Sequence, residues 1–221
     1  KLRSPSLKSG SRNVSLINVL LPLSKKPVNK YTKTLRSLII IFLSTSSIVK
    51  LTDTITRSYS DYPSSNNFGN KKFNNYEEDV FVGYRYFSTF GGDKVLYPFG
   101  FGLGYADFDV ECHSVNIGKD GTDITVKVKN ISDKYSGKEV VQVYYGAEKT
   151  KLIKPGRQLV AFAKTKLLAP GEEQEMVLSY SNKAYASYDD SGITGYKNAW
   201  VQEKGIYKVY VGTDVACACQ Y

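Results

Sequence analysis

TDITVKVKN, residues 122–130, sets Ile124, Val126 and Val128 in alternation with Thr125, Lys127 and Lys129. A period of two places the aliphatic trio on one face of a strand and the polar set on the other. The same device recurs downstream. Val141, Val143 and Tyr145 alternate with Gln142 and Tyr144; Met176, Leu178 and Tyr180 with Val177 and Ser179; Tyr207, Val209 and Val211 with Lys208 and Tyr210. Asp120-Gly121, Ser136-Gly137, Pro155-Gly156, Pro170-Gly171 and Lys204-Gly205 stand between these runs, and such pairs pre-set turn geometry and stop strands. Strands are expected near 107–117, 122–130, 138–146, 157–168, 173–181, 184–189 and 205–212. About seven strands in roughly a hundred residues are the dimensions of an immunoglobulin-like β-sandwich.

Upstream the pattern changes. YEEDVFVGYRYFSTFGGDKVLYPFGFGLGYADF, residues 76–108, holds 11 Tyr or Phe among 33 residues, interleaved with six glycines. No helical or strand period survives in it for more than a few positions, so it is expected to be irregular, with its rings packed against a neighbouring surface. Aromatics this dense need a partner surface, and the chain is not expected to contain all of it.

These residues also resemble a known family. Tyr76-Glu77-Glu78-Asp79-Val80-Phe81-Val82-Gly83-Tyr84-Arg85-Tyr86-Phe87 and Leu96-Tyr97-Pro98-Phe99-Gly100-Phe101-Gly102-Leu103 look like the connector of family 3 glycoside hydrolases, chiefly β-glucosidases. Lys50-Leu51, Thr54-Ile55 and Asp61-Tyr62-Pro63-Ser64 fit the same pattern upstream. Gly137-Lys138-Glu139-Val140-Val141-Gln142-Val143-Tyr144, Pro170-Gly171-Glu172 and Gly205-Ile206-Tyr207-Lys208-Val209-Tyr210-Val211-Gly212 are similar to that family's fibronectin type III-like module. The resemblance runs over roughly residues 50–215. It implies an interdomain connector at 50–105, a fibronectin type III-like sandwich at 106–215 and a tail at 216–221. It further implies that Tyr76, Asp79, Phe81, Tyr84, Arg85, Tyr86, Phe87, Tyr97, Phe99 and Phe101 pack between domains, with Asp79 and Arg85 as a carboxylate–guanidinium pair. Trp200 matches a family position expected in the sandwich core, with an exposed sugar-binding Trp as the alternative.

Residues 1–60 carry 11 Lys or Arg and one acid, Asp53, for a net +10, whereas the remaining residues sum to −1. The cations are scattered without helical facing or interleaved aromatics, so neither nucleic acid nor a membrane is the expected partner. The first 52 residues contain no Asp or Glu and one glycine, Gly10, and residues 1–49 are read as an aberrant or disordered basic tract. The apolar run Leu38-Ile39-Ile40-Ile41-Phe42-Leu43 falls short of the roughly 20 residues a membrane helix needs and reads as a buried strand or a frayed remnant. No signal peptide is recognisable, and a cytoplasmic setting is the nearer expectation. Cys112, Cys217 and Cys219 form no disulfide framework, and with His113 as the sole histidine no metal site and no cofactor are expected.

Retaining glycosidases need two carboxylates about 5–5.5 Å apart, one as nucleophile and one as proton donor. The resemblance implies that the nucleophile comes from a Ser-Asp-Trp-like motif on a barrel strand and the acid usually from an α/β sandwich. Ser60-Asp61-Tyr62 is superficially like the first motif but lacks the preceding apolar strand and belongs to the connector pattern. Glu77-Glu78-Asp79, Glu172-Glu173 and Asp189-Asp190 are adjacent in sequence, so in strands they would diverge; they read as solvated turn charges. Gly100-x-Gly102-x-Gly104 lacks the last spacing of a dinucleotide fingerprint. No residue here is expected to be catalytic. The expectation is a non-catalytic fragment of a retaining β-glucosidase that braces catalytic domains carried elsewhere, meeting β-glucoside only through them; a stand-alone carbohydrate-binding or adhesion module is the alternative.

Overall fold

The computed structural model describes residues 49–221; the expectations for the basic tract and for the 38–43 run lie outside the described residues. The connector comes first. It contains β1 (Val49–Lys50), β2 (Ile55–Thr56), the short helix α1 (Tyr84–Phe90), β3 (Val95–Tyr97) and β4 (Gly102–Leu103). β1 pairs antiparallel with β4 and β2 with β3, so the ends of the connector fold back on each other. The segment expected to be irregular therefore contains one helix. Seven residues are too few for the period to be read through so many rings.

The sandwich follows: β5 (Phe108–Ile117), β6 (Gly121–Asn130), β7 (Val140–Glu148), β8 (Gln158–Lys164), β9 (Glu173–Ser181), β10 (Ser187–Asp189), β11 (Ala199–Val201), β12 (Ile206–Gly212) and β13 (Cys219–Gln220). One sheet has the order β5-β6-β9, the other β13-β12-β7-β8, and β10-β11 form a separate two-stranded ribbon. The chain is an all-β, fibronectin type III-like sandwich preceded by an aromatic-rich connector. Each long strand turns one set of alternate side chains inward. Ile124, Val126 and Val128 of β6 meet Val141, Val143 and Tyr145 of β7 and Val209 and Val211 of β12, all buried. At one end of this core Tyr145, Tyr180, Tyr185 and Tyr207 cluster, with the Tyr180 and Tyr185 hydroxyls 2.6 Å apart. Burial pushes the Tyr145 hydroxyl up to about 12, and that hydroxyl donates to Gln158 Oε1 at 3.3 Å.

Tyr144 and Trp200 differ from the sequence reading. Tyr144, on the face of β7 opposite the core, is fully buried, because Tyr84, Phe99, Val215 and Ala218 pack over that face. A central strand covered on both sides loses the alternation that marks a half-buried one. Trp200 is not a core residue: it is 73% exposed on β11, edge-on to Tyr188 of β10 at 5.7 Å.

Candidate functional site

Gly83, with φ 58, starts α1 in a conformation that side chains resist, and it aims Tyr84 at the sandwich. The Tyr84 ring stacks on Phe99 at 4.5 Å and meets Tyr144 edge-on at 6.1 Å. Its hydroxyl accepts the Leu159 backbone N–H at 3.0 Å, and one turn later Thr89 Oγ1 accepts the Gly156 N–H at 2.9 Å. Helix α1 thereby fastens to the start of β8, an edge strand whose free N–H groups would otherwise face water.

Phe99 is fixed from its other side. Its carbonyl accepts the Val215 N–H at 3.0 Å, and the next residue, Gly100, has φ 83. A Cβ there would lie 2.5 Å from Gln142 Nε2, so the turn needs glycine on both counts. Lys50 at the start of the connector reaches Glu139 at 2.8 Å, with side chains 13% and 9% exposed. An ion pair so little exposed costs several kcal/mol to break from one side, because the remaining charge is stranded.

The expected interdomain residues divide into two groups. Tyr84 and Phe99 pack on the sandwich of this chain, and Phe87, 3% exposed, is enclosed by Tyr62 at 5.8 Å and Tyr86 at 5.2 Å. Phe81 and Tyr86 lean on Phe90 at 4.9 and 5.7 Å, and Tyr97 on Phe101 at 5.0 Å. Tyr76 and Tyr97 are exposed, as are Phe68, Phe73, Phe90, Leu103 and Tyr105. The outward side of the connector is thus apolar surface of the kind that partners cover.

Asp79 and Arg85 do not form the expected pair: among the described residues no ion pair within 4.0 Å joins them. Asp79 has φ 47 in an exposed turn, where its carbonyl accepts the Tyr76 hydroxyl at 2.8 Å, while the Arg85 guanidinium lies over the Tyr84 ring at 6.0 Å.

Between α1, β3 and the turn at residues 214–218 lies a groove of about 460 Å³. Tyr84, Phe87, Phe90, Val215, Arg157 and Thr54 are among the residues that line it. Arg157 stacks on Tyr210 at 4.6 Å and donates to the Val215 carbonyl. Thr54 entered the sequence reading only as part of the connector pattern, and Arg157 not at all. The Pro155-Gly156 turn just ahead of Arg157 marked a loop, but nothing in it signalled that residues from 54 to 216 converge.

The carboxylates have structural uses. Asp61 accepts the Ser58 N–H at 3.0 Å and caps a one-turn helix. Glu172 accepts the Ala169 N–H at 2.9 Å and meets Lys166 at 2.8 Å; Glu173 meets Lys127 at 2.5 Å and Lys129 at 2.9 Å. Bonds from these lysines hold both carboxyls below the usual range. Asp189, expected to be solvated, is buried. It accepts from the Thr194 hydroxyl at 2.5 Å, the Gly192 and Thr194 N–H groups at 2.6 and 2.8 Å, and Ser191 at 3.1 Å, which drive its carboxyl far below the ordinary value. It ties the loop between β10 and β11. Among the described residues no cluster of His, Cys, Asp and Glu could hold a metal ion.

Comparison with known proteins places this architecture. Residues 139–215 match the fibronectin type III-like domain family. A β-glucosidase of Ruminococcus albus is 52% identical over 169 residues, which is 76% of this chain and 18% of that protein. An exo-α-(1→6)-L-arabinopyranosidase of Bifidobacterium breve is 34% identical over 178 residues, 79% of this chain and 22% of that protein. Among solved structures, a β-glucosidase of Paenibacillus barengoltzii superposes with a TM-score of 0.74 at 47% identity, covering 78% of this chain and 19% of that one. The chain thus spans about a fifth of the length of these relatives. The connector and the sandwich, matched together and in the same order, are thus similar to the fibronectin type III-like region of family 3 β-glucosidases.

Proposed function

We propose that this chain serves as the brace of a family 3 β-glucosidase and takes no part in bond cleavage. One observation carries the reading: the connector is fastened to the sandwich through Tyr84, Phe99 and Lys50, yet turns a second, exposed set of rings outward. A surface apolar on both sides is built to join two bodies. Asp61, Glu172, Glu173 and Asp189 are engaged in a cap, lysine pairs and a loop tie, which suits a support and not a site needing two opposed, differently tuned acids. In this reading the catalytic domains supply nucleophile and acid, and the whole enzyme releases terminal β-linked glucose with retention. Sugar choice lies with those domains, since relatives named for glucosidase and for arabinopyranosidase activity share this region.

The test is a chimera. In the Ruminococcus albus enzyme the segment matched by this chain is deleted, or replaced by residues 50–221. Bracing predicts that deletion shortens the half-life of activity at elevated temperature at least about tenfold and that replacement restores most of it. A deleted enzyme as durable as the parent would refute the brace.

A second reading has its own observation. Trp200, 73% exposed, and Tyr188, 49% exposed, stand side by side on the β10–β11 ribbon, and flat rings on a rigid ribbon suit the apolar faces of a sugar. A stand-alone carbohydrate-binding module would retain soluble glucan in calorimetry and lose it on Trp200→Ala. The brace predicts no saturable heat in either protein.

A further inference from the structure

We infer that the groove beside α1 is the socket for a carboxylate-bearing segment of the catalytic domains. The inference rests on the bracing reading and names the contact that reading leaves open.

Among the residues lining the groove, Arg157 carries the one charge. Stacking on Tyr210 and the bond to the Val215 carbonyl hold its guanidinium in place, and among the described residues no carboxylate comes within 4.0 Å of it. A guanidinium has five donors in a planar fork suited to a carboxylate, and the protein itself supplies only part of what they can bond. Thr54 gives an independent indication. It is 1% exposed, lies along the same groove, and its Oγ1 is the buried side-chain atom left without a hydrogen-bond partner among the described residues. Its backbone is committed, the N–H to Asp53 at 2.7 Å and the carbonyl to the Tyr62 hydroxyl at 3.0 Å, which holds the residue beside the groove and leaves only its hydroxyl to turn toward a partner. An unpaired buried hydroxyl is unfavourable until something arrives to bond it.

The rest of the lining says what arrives. Tyr84, Phe87 and Phe90 form an apolar wall, and Phe90 is 62% exposed above it. A small anion would leave those rings wet, and a neutral sugar would leave Arg157 uncompensated. A peptide segment with one acidic side chain among apolar neighbours satisfies the charge, the hydroxyl and the rings together.

Thr54→Val keeps the shape and deletes the hydroxyl, so the socket predicts opposite effects in two settings. In the isolated 221-residue chain the melting midpoint stays level or rises, because the unpaired group is gone. In the chimera carrying residues 50–221 the half-life of activity at elevated temperature falls about fivefold, because its bond to the docked segment is lost. Arg157→Lys, which keeps the charge and loses the fork, shortens that half-life while preserving the chimera's KM. Thr54→Val lowering the isolated chain's midpoint, or leaving the chimera unchanged, would overturn the socket. So would a rise in the isolated chain's midpoint with glucose that Thr54→Val abolishes, which would make the groove a sugar site. If the deleted enzyme is as durable as its parent, the brace itself is wrong. If the chimera is durable and indifferent to both substitutions, the brace stands and the socket alone falls. A chimera that does not fold counts against both.

Discussion

Tyr84 is the residue on which connector and sandwich meet. It stacks on Phe99, touches Tyr144 and accepts the Leu159 N–H, so three elements lose a partner if it is cut back. Tyr84→Ala should cost about 3 kcal/mol in urea unfolding, whereas Tyr84→Phe, which keeps the stack, should cost about 1. Asp189 acts by charge. Donors from Thr194, Gly192 and Ser191 depress its carboxyl, and a depressed folded value contributes stability above the ordinary carboxylate range that is lost as pH falls through the folded value. Asp189→Asn should therefore lower the melting midpoint at pH 7, and the gap from the unsubstituted chain should close as pH is taken below about 4. A gap constant from pH 7 to about 2.5 would show that the loop is held by shape. At this scale the sequence was readable only in part. Asp189 beside Asp190 looks like a solvated pair, since nothing local announces that four donors converge on one of them. Trp200 was equally opaque, because a large ring beside Ala199 and Val201 reads as core until the ribbon proves to have an uncovered face.

Among the elements, β7 is central in both senses. It pairs with β12 and β8, and its two faces are covered, one by the β6 side chains and one by Tyr84 and Phe99. Gly146 lies where β7 passes the turn before β8, and a Cβ there would come 2.4 Å from the Gly156 carbonyl oxygen. Gly146→Ala should thus destabilise by at least about 2 kcal/mol, with urea unfolding as the measure. The long strands were legible because their period-two patterns belong to half-buried faces: β6 and β9 lie within a residue or two of where alternation puts them. The cover on β7 was not legible. Whether Tyr144 faces water depends on residues some fifty positions upstream, and α1 is too short for its period to stand out from the surrounding rings.

For the molecule as a whole, the role we propose is that of a joint. The sandwich supplies a rigid β body, the connector clips to one sheet, and the far side of the connector and the groove remain for a second body. Motif order in the sequence was enough to indicate the family, because turns and glycine-bound aromatics recur at fixed places along the chain. Which rings turn inward and which outward was not, since both kinds have the same composition. In the bracing reading these residues support chemistry performed by other domains. The most direct measurement is turnover of an aryl β-glucoside by the purified 221-residue chain. Release should stay at the rate of the buffer blank from about pH 3 to about pH 8, a range spanning ordinary carboxylate and histidine titration. Saturable turnover above that blank, abolished by replacing one of the chain's own carboxylates, would contradict that reading.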